Sequence, residues 1–247
     1  MSTMSIRVEQ LVVDRWFQNP PPLIAAMADR PTTGATRAFV LQWTKFSRLF
    51  PRWVGSIMSN CPEFPVIAYL VENLMSEVVR DPASNDNHYE LLIKLGAGVG
   101  LTREEIESNP VLPESAATFE WLWQMARHAD WLIGFTAVNG LEILGDSALP
   151  ARYGVHQGTG IAVRPYAESL GLDGDALEFF EVSDAADAEH GSETVGIISR
   201  YTESGREDEV LGVLGESMDR LRTMMDAMWR LAVDIDGGGG VGREEMM

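Results

Sequence analysis

Ala176-Leu177-Glu178-Phe179-Phe180-Glu181-Val182-Ser183-Asp184-Ala185-Ala186-Asp187-Ala188-Glu189-His190 is the stretch on which the reading turns. Leu177, Phe180, Ser183, Asp187 and His190, continued by Thr194 and Ile197, recur at steps of three and four, so they share one face of a helix. A polar trio, Ser183, Asp187 and His190, interrupts a stripe that otherwise faces a core. A buried carboxylate is costly unless a hydrogen-bonding group, a cation or a metal partners it. Asp-x-x-His alone also fits a surface or hydrogen-bonded pair. Helical bundles hold iron or manganese with carboxylates and imidazoles that point inward from facing helices, so the other helices must supply partners if this pair is a metal site.

Working outward, Phe39, Trp43, Phe46, Phe50, Trp53 and Ile57 form an aromatic stripe over Ala35–Met58, with Pro51 expected to break or kink it. Over Val66–Val79 the stripe Ile67, Leu70, Leu74 continues onto Glu77, and the helix after the turn 81–87 opens with His88 and runs on through Leu92 and Leu95. Gly96–Gly100 lacks the strand and lysine of a phosphate loop and leads into the capping box Thr102-x-x-Glu105, so it reads as a helix connection. A long helix is expected from Glu114 to Leu144, where His128, Trp131, Phe135, Val138 and Glu142 share a face. His128 would lie about 21 Å from Glu142 at 1.5 Å per residue, too far for one metal, and reads as a packed core histidine. Residues 145–160, carrying His156, read as a loop. A helix over 161–170, the opening helix extended to Tyr201, and a last helix over 208–233 with Leu211, Leu214, Met218, Leu221, Met225, Met228 and Leu231 complete the chain. No period-two alternation or internal repeat is present. The expectation is an all-α fold of about seven or eight helices, with 1–34 an N-terminal segment, 35–235 the helical domain and 236–247 a disordered tail.

The 247 residues, 45 % hydrophobic, suffice for one large core. A net charge of −18 argues against nucleic acid and anionic membranes as partners. Cys61 is the sole cysteine, which excludes an intrachain disulfide and cysteine-based metal clusters. The first residues lack the apolar stretch of a signal peptide, and no run approaches eighteen apolar residues, so a soluble, cytoplasmic protein is expected.

Glu77, His88, Glu142 and the Asp187/His190 pair thus stand on apolar faces of separate helical segments. A shared metal centre would neutralise them, and so would hydrogen bonding among themselves. Asn73-Leu74-x-x-Glu77 followed by His88-x-x-Leu91, Glu142 at a helix end, and Phe179-Phe180-x-x-Ser183-x-x-x-Asp187-x-x-His190 resemble the elements of the haem-oxygenase-like diiron oxidases, over roughly residues 35–235. The wider superfamily includes thiaminase II and the cofactor-free pyrroloquinoline-quinone synthase. The resemblance implies a haem-oxygenase-like helical bundle with Glu77, His88, Glu142, Asp187 and His190 as metal ligands and Glu77, Glu142, Asp187 and His190 as the catalytic set. It departs at Ser183, where the family has His, so Fe(II) would number two per chain or only one, the gap filled by water or by Asp184 or Glu181. Glu72 competes with Glu77 but lies on another helical face.

By the same resemblance the protein is an iron- and O2-dependent oxidoreductase acting on an amino acid or derivative by N-oxygenation, desaturation or oxidative C–C cleavage, in specialised-metabolite biosynthesis, as a homodimer. The alternatives are a mono-iron or cofactor-free enzyme of the superfamily, or a non-catalytic small-molecule-binding bundle. Thiaminase-type hydrolysis is disfavoured because Cys61 lies outside every matching element. Arg164, His156 and Tyr166 are candidate contacts for a substrate carboxylate.

Overall fold

Two long helices form the spine of the bundle. The computed structural model describes residues 2–155 and 163–238; for 163, 164 and 183–189 only the helical backbone is described. In chain order the α-helices are α1 (Thr3–Val12), α2 (Pro22–Asp29), α3 (Thr33–Asn60), α4 (Phe64–Leu74), α5 (His88–Gly98), α6 (Arg103–Ser108), α7 (Pro113–His128), α8 (Trp131–Val138), α9 (Leu149–Arg152), α10 (Val163–Leu170), α11 (Glu178–Tyr201) and α12 (Glu207–Gly238). No strand occurs among the described residues. The fold is the expected all-α bundle, with short helices and one divided helix raising the count.

The spine α3–α12 is joined where Gly34 meets α12. A Cβ on Gly34 would lie 2.4 Å from the Ala232 carbonyl oxygen, so only glycine permits this approach. There Asp236 accepts a hydrogen bond from the Gly34 N–H at 2.8 Å, satisfying a donor of the first turn of α3. Asp236 and Gly237 therefore belong to α12 rather than to a disordered tail; residues 239–247 lie outside the described set.

Pro51 sits inside α3 without ending it. A proline in mid-helix costs about 3 kcal/mol, and the aromatic stripe on both sides of it outweighs that. Phe39, Phe46, Phe50, Trp53 and Ile57 are buried, and Trp43 stacks on Phe46 with ring centroids 4.6 Å apart and planes 9° apart. The helix expected over Glu114–Leu144 is divided instead. Asp130 caps a new start, accepting from Leu132 N and Ile133 N, and beyond Val138 the chain tightens into a 3₁₀ turn over Asn139–Gly145. His128, at the end of α7, is exposed and not a core histidine. The capping box Thr102/Glu105 is present as expected.

The N-terminal segment is not separate from the core. Val8, Val12, Trp16, Phe17 and Leu23 are all buried within it. Among the described residues no helix is long and apolar enough to cross a membrane.

Candidate functional site

Beneath α3 lies a cavity of about 220 Å³. Its walls are largely aromatic: Phe39, Trp43, Phe46 and Phe50 from α3, Trp16 and Phe17 from the turn after α1, and Phe179 and Phe180 from α11. Against this apolar lining stand Glu77, His88 and Glu142. A cavity of ~150 Å³ holds a benzene molecule, so this one accommodates a single ring with a few substituents.

Each of the three ionisable groups is placed by local structure. Glu77 belongs to a π-helical turn, Met75–Val79, that continues α4; such turns occur frequently at functional sites. The buried face of this segment is Val66, Tyr69, Leu70, Asn73 and Ser76, so the expected stripe through Ile67 and Leu74 is offset by about one residue, with both of those half-buried. Glu72 is exposed, which separates it from the cavity that Glu77 lines. His88 is the first residue of α5, held there because the Asn87 side chain accepts from Glu90 N. Glu142 lies in the 3₁₀ turn, against which α11 packs closely: a Cβ on Gly191 would be 3.3 Å from the Glu142 carbonyl oxygen and 3.1 Å from Asp146 Cβ.

His88 is held between two carboxylates. Its Nδ1 lies 2.7 Å from Glu77 Oε1 and its Nε2 lies 3.2 Å from Asp81 Oδ2. The three side chains are 12 % (His88), 16 % (Glu77) and 3 % (Asp81) exposed, so water screens them little. Burial disfavours a charged imidazole, but Glu77 in contact and Asp81 behind outweigh it and push the His88 pKa up to about 9. Asp81 carried no signal in the sequence, since it sits in a turn where no periodicity marks an inward position.

Tyr69 carries no sequence mark as a site residue, and Thr194 is marked only by its place on the face of Asp187 and His190. The Tyr69 hydroxyl lies 2.8 Å from Thr194 Oγ1 and 3.4 Å from the His190 carbonyl oxygen. Burial first, and then the negative charge of Glu142, keep that phenol protonated far above its ordinary range. The His190 ring stands edge-on to Tyr69 at 6.2 Å and 89°, and it is not among the described residues lining the cavity. The side chains of Ser183, Asp184 and Asp187 lie outside the described residues, and Glu181 is exposed. His156 and the Arg164 side chain are likewise outside them, while Tyr166 is buried against Phe180, ring centroids 4.2 Å apart.

The donor chemistry at His88 fits a metal ion. An imidazole ligand ordinarily has its second nitrogen tied to a carboxylate or carbonyl, and Asp81 occupies that place. Glu77 and His88 Nδ1 are separated as two ligands of one ion, each about 2.1 Å from it, can be. Among the described residues, however, no group of three His, Cys, Asp or Glu side chains converges closely enough to hold an ion.

Residues 37–232 match the family of iron-containing redox enzymes. This chain belongs to that family. A 4-aminobenzoate synthase of Chlamydia pneumoniae is 24 % identical over 189 residues, covering 75 % of this chain and 76 % of that protein. In fold, this family member is similar to a domain of unknown function with a haem-oxygenase-like fold from Shewanella denitrificans (TM-score 0.66, 13 % identity, 97 % and 94 % of the two chains). It is also similar to a TenA homologue from Pseudomonas syringae (TM-score 0.65, 17 % identity, 92 % and 90 %). The haem-oxygenase-like bundle, shared with TenA proteins, is therefore its architecture.

Proposed function

We propose that this member of the iron-containing redox enzyme family transforms a small, largely aromatic or apolar molecule in the cavity below α3, where an iron would take Glu77 and His88 as ligands and complete its coordination beyond these two side chains. The observation that carries this is that three ionisable side chains, from three separate elements, line one aromatic-walled cavity, two of them, Glu77 and His88, in contact. The full diiron reading needs Asp187 and His190 to join them, and the serine at 183 removes one donor from that second set.

Ferrous iron, when bound there, would supply one-electron chemistry toward O2. The chain's own residues have distinct tasks. Asp81 accepts from Nε2–H and so presents Nδ1 of His88 toward Glu77 and the cavity. The phenylalanine and tryptophan walls exclude water and stack a ring. Tyr69, kept protonated, holds α4 to α11 through Thr194 and the His190 carbonyl. The aminobenzoate made by the Chlamydia relative has the size and aromatic character this cavity accepts, which supports a small aromatic acid or amine as the substrate class.

One observation favours a metal-free variant of the same reading: both nitrogens of His88 already have carboxylate partners, so charged His88 and Glu77 form a ready acid–base pair. An anaerobic Fe(II) titration, with iron counted per chain after desalting, separates the readings. One iron per chain, lost in Glu77→Ala and His88→Ala, is expected. No iron with an intact fold would establish the metal-free variant, and two would establish the diiron centre.

A further inference from the structure

Asp81 orients His88 from a turn, and the turn is a closed unit. The Asp81 N–H donates to the Asp86 carbonyl oxygen at 2.9 Å, the Ser84 N–H to the Asp81 carbonyl oxygen at 3.1 Å, and the Ala83 N–H to Asp81 Oδ1 at 2.7 Å. Asp81 is thus held on Oδ1 by its own backbone while Oδ2 faces His88 Nε2. A unit bonded to itself in this way shifts as a body, so the place of Asp81 depends on where the turn is anchored.

The anchor is Lys94. It lies six residues beyond His88 on α5, about 9 Å further along the axis. Its ammonium is 2.7 Å from Asp86 Oδ2 in the turn and 2.6 Å from Oε2 of Glu178, the first residue of α11. Glu178 Oε1 accepts from the Ser84 hydroxyl at 2.6 Å, and the Ser84 oxygen accepts from the Asp86 N–H at 3.1 Å. One cation therefore joins three segments: the turn with Asp81, the helix that begins with His88, and the helix whose next residues, Phe179 and Phe180, wall the cavity. Lys94, Asp86 and Glu178 are 30 %, 35 % and 24 % exposed at their side chains, and ion pairs so open to water add little to overall stability. Their effect falls on geometry instead. Without the ammonium between them, Asp86 and Glu178 repel each other and drive the turn away from α11.

We propose that Lys94 is a positioning residue of the site. By tying the turn 81–87 to α5 and to the start of α11, it holds Asp81 against Nε2 of His88 and so fixes the direction in which Nδ1 is presented to Glu77 and the cavity. Orientation of the imidazole requires no metal; only the consequence for iron retention rests on the function proposed above.

NMR of the full-length, metal-free chain with ¹⁵N-labelled histidine, at pH 7 with chelator, tests it. His88→Gln identifies the His88 imidazole among the four histidines, and Asp81→Asn marks where its signals move when the carboxylate is lost. Lys94→Met is expected to shift them toward the Asp81→Asn position, and Lys94→Arg, which keeps a cation between the two carboxylates, to restore them. Glu178→Gln, a milder change that leaves Lys94 with Asp86, should shift them the same way by less. Arg103→Met should leave them unmoved, because Arg103 binds Glu90 on the same helix and Glu107 but neither the turn nor α11. A second reading is the Fe(II) dissociation constant, about 10-fold weaker in Lys94→Met and recovered in Lys94→Arg. If the wild-type chain takes no iron, the proposed function fails while the imidazole signals still decide this inference. His88 signals unmoved by Lys94→Met overturn it whatever the iron affinity does. So does an equal shift in Arg103→Met, which would mean a general loosening of α5, or a Lys94→Arg variant that restores nothing.

Discussion

Arg152→Met probes the wall of the cavity from behind. Glu9 of α1 and Asp146, just after the 3₁₀ turn, are 6 % and 3 % exposed at their side chains, and the Arg152 guanidinium lies 3.0 Å from Glu9 Oε1 and 3.3 Å from Asp146 Oδ2. Removing one partner of a buried ion pair costs ~3–5 kcal/mol. Two features lower that here. Arg152 is itself 43 % exposed, so water already weakens its attraction. Each carboxylate also keeps another donor: the Tyr153 hydroxyl at 2.7 Å from Glu9 Oε2, and the N–H groups of Ala148 and Leu149 at 2.9 and 3.1 Å from Asp146 Oδ1. The expected loss is therefore about 2 kcal/mol. Urea denaturation at pH 7 measures it as a lower midpoint at constant slope. Because the harm comes from carboxylates left without their cation, adding Glu9→Gln to Arg152→Met should recover about half of it, a coupling of at least ~1 kcal/mol. A loss below ~0.5 kcal/mol, or single effects that simply add, would refute the reasoning.

Three further outcomes follow from the geometry. In metal-free protein, His88 is raised from 6.5 to about 9, so its contribution, on the order of 3 kcal/mol, is fully present below pH 6.5 and lost as pH rises through 9; urea melts with chelator at pH 6 and pH 10 should show this fall, and His88→Gln should lack it. Phe46→Ala should cost about 3 kcal/mol, the low end for a buried phenylalanine because one side of the ring already faces the cavity, and it should admit a larger ring, read as a higher thermal midpoint of the variant when bulky aromatic ligands are added. Ser183→His should raise the anaerobic iron count from one to two per chain; an unchanged count would mean that the second site lacks more than this one donor.

Part of the fold and of the site is legible in the sequence. The repeated steps of three and four mark the helices, and Glu77, His88 and Glu142 stand out because each interrupts an apolar stripe. All three do line one cavity. For Asp187, periodicity assigns a face, and its side chain lies outside the described residues. Periodicity errs where local hydrogen bonds overrule it: Asp130 restarts a helix that the apolar pattern alone would run through, and α12 runs through Asp236 to Gly238, past the end expected at residue 233, with Asp236 bound to the start of α3.

What the sequence by itself determined is the helical period, the ionisable groups set among apolar ones, and the family they resemble. Only the tertiary structure decided that Asp81 closes on His88, that Trp16 and Phe17 of the N-terminal segment wall the cavity, and that Lys94 ties the turn of Asp81 to the start of α11. The physical reason is that a periodic pattern records which side of a helix is buried, and says nothing about what it is buried against. Partners in turns and on distant helices are brought together only by the packing of the bundle.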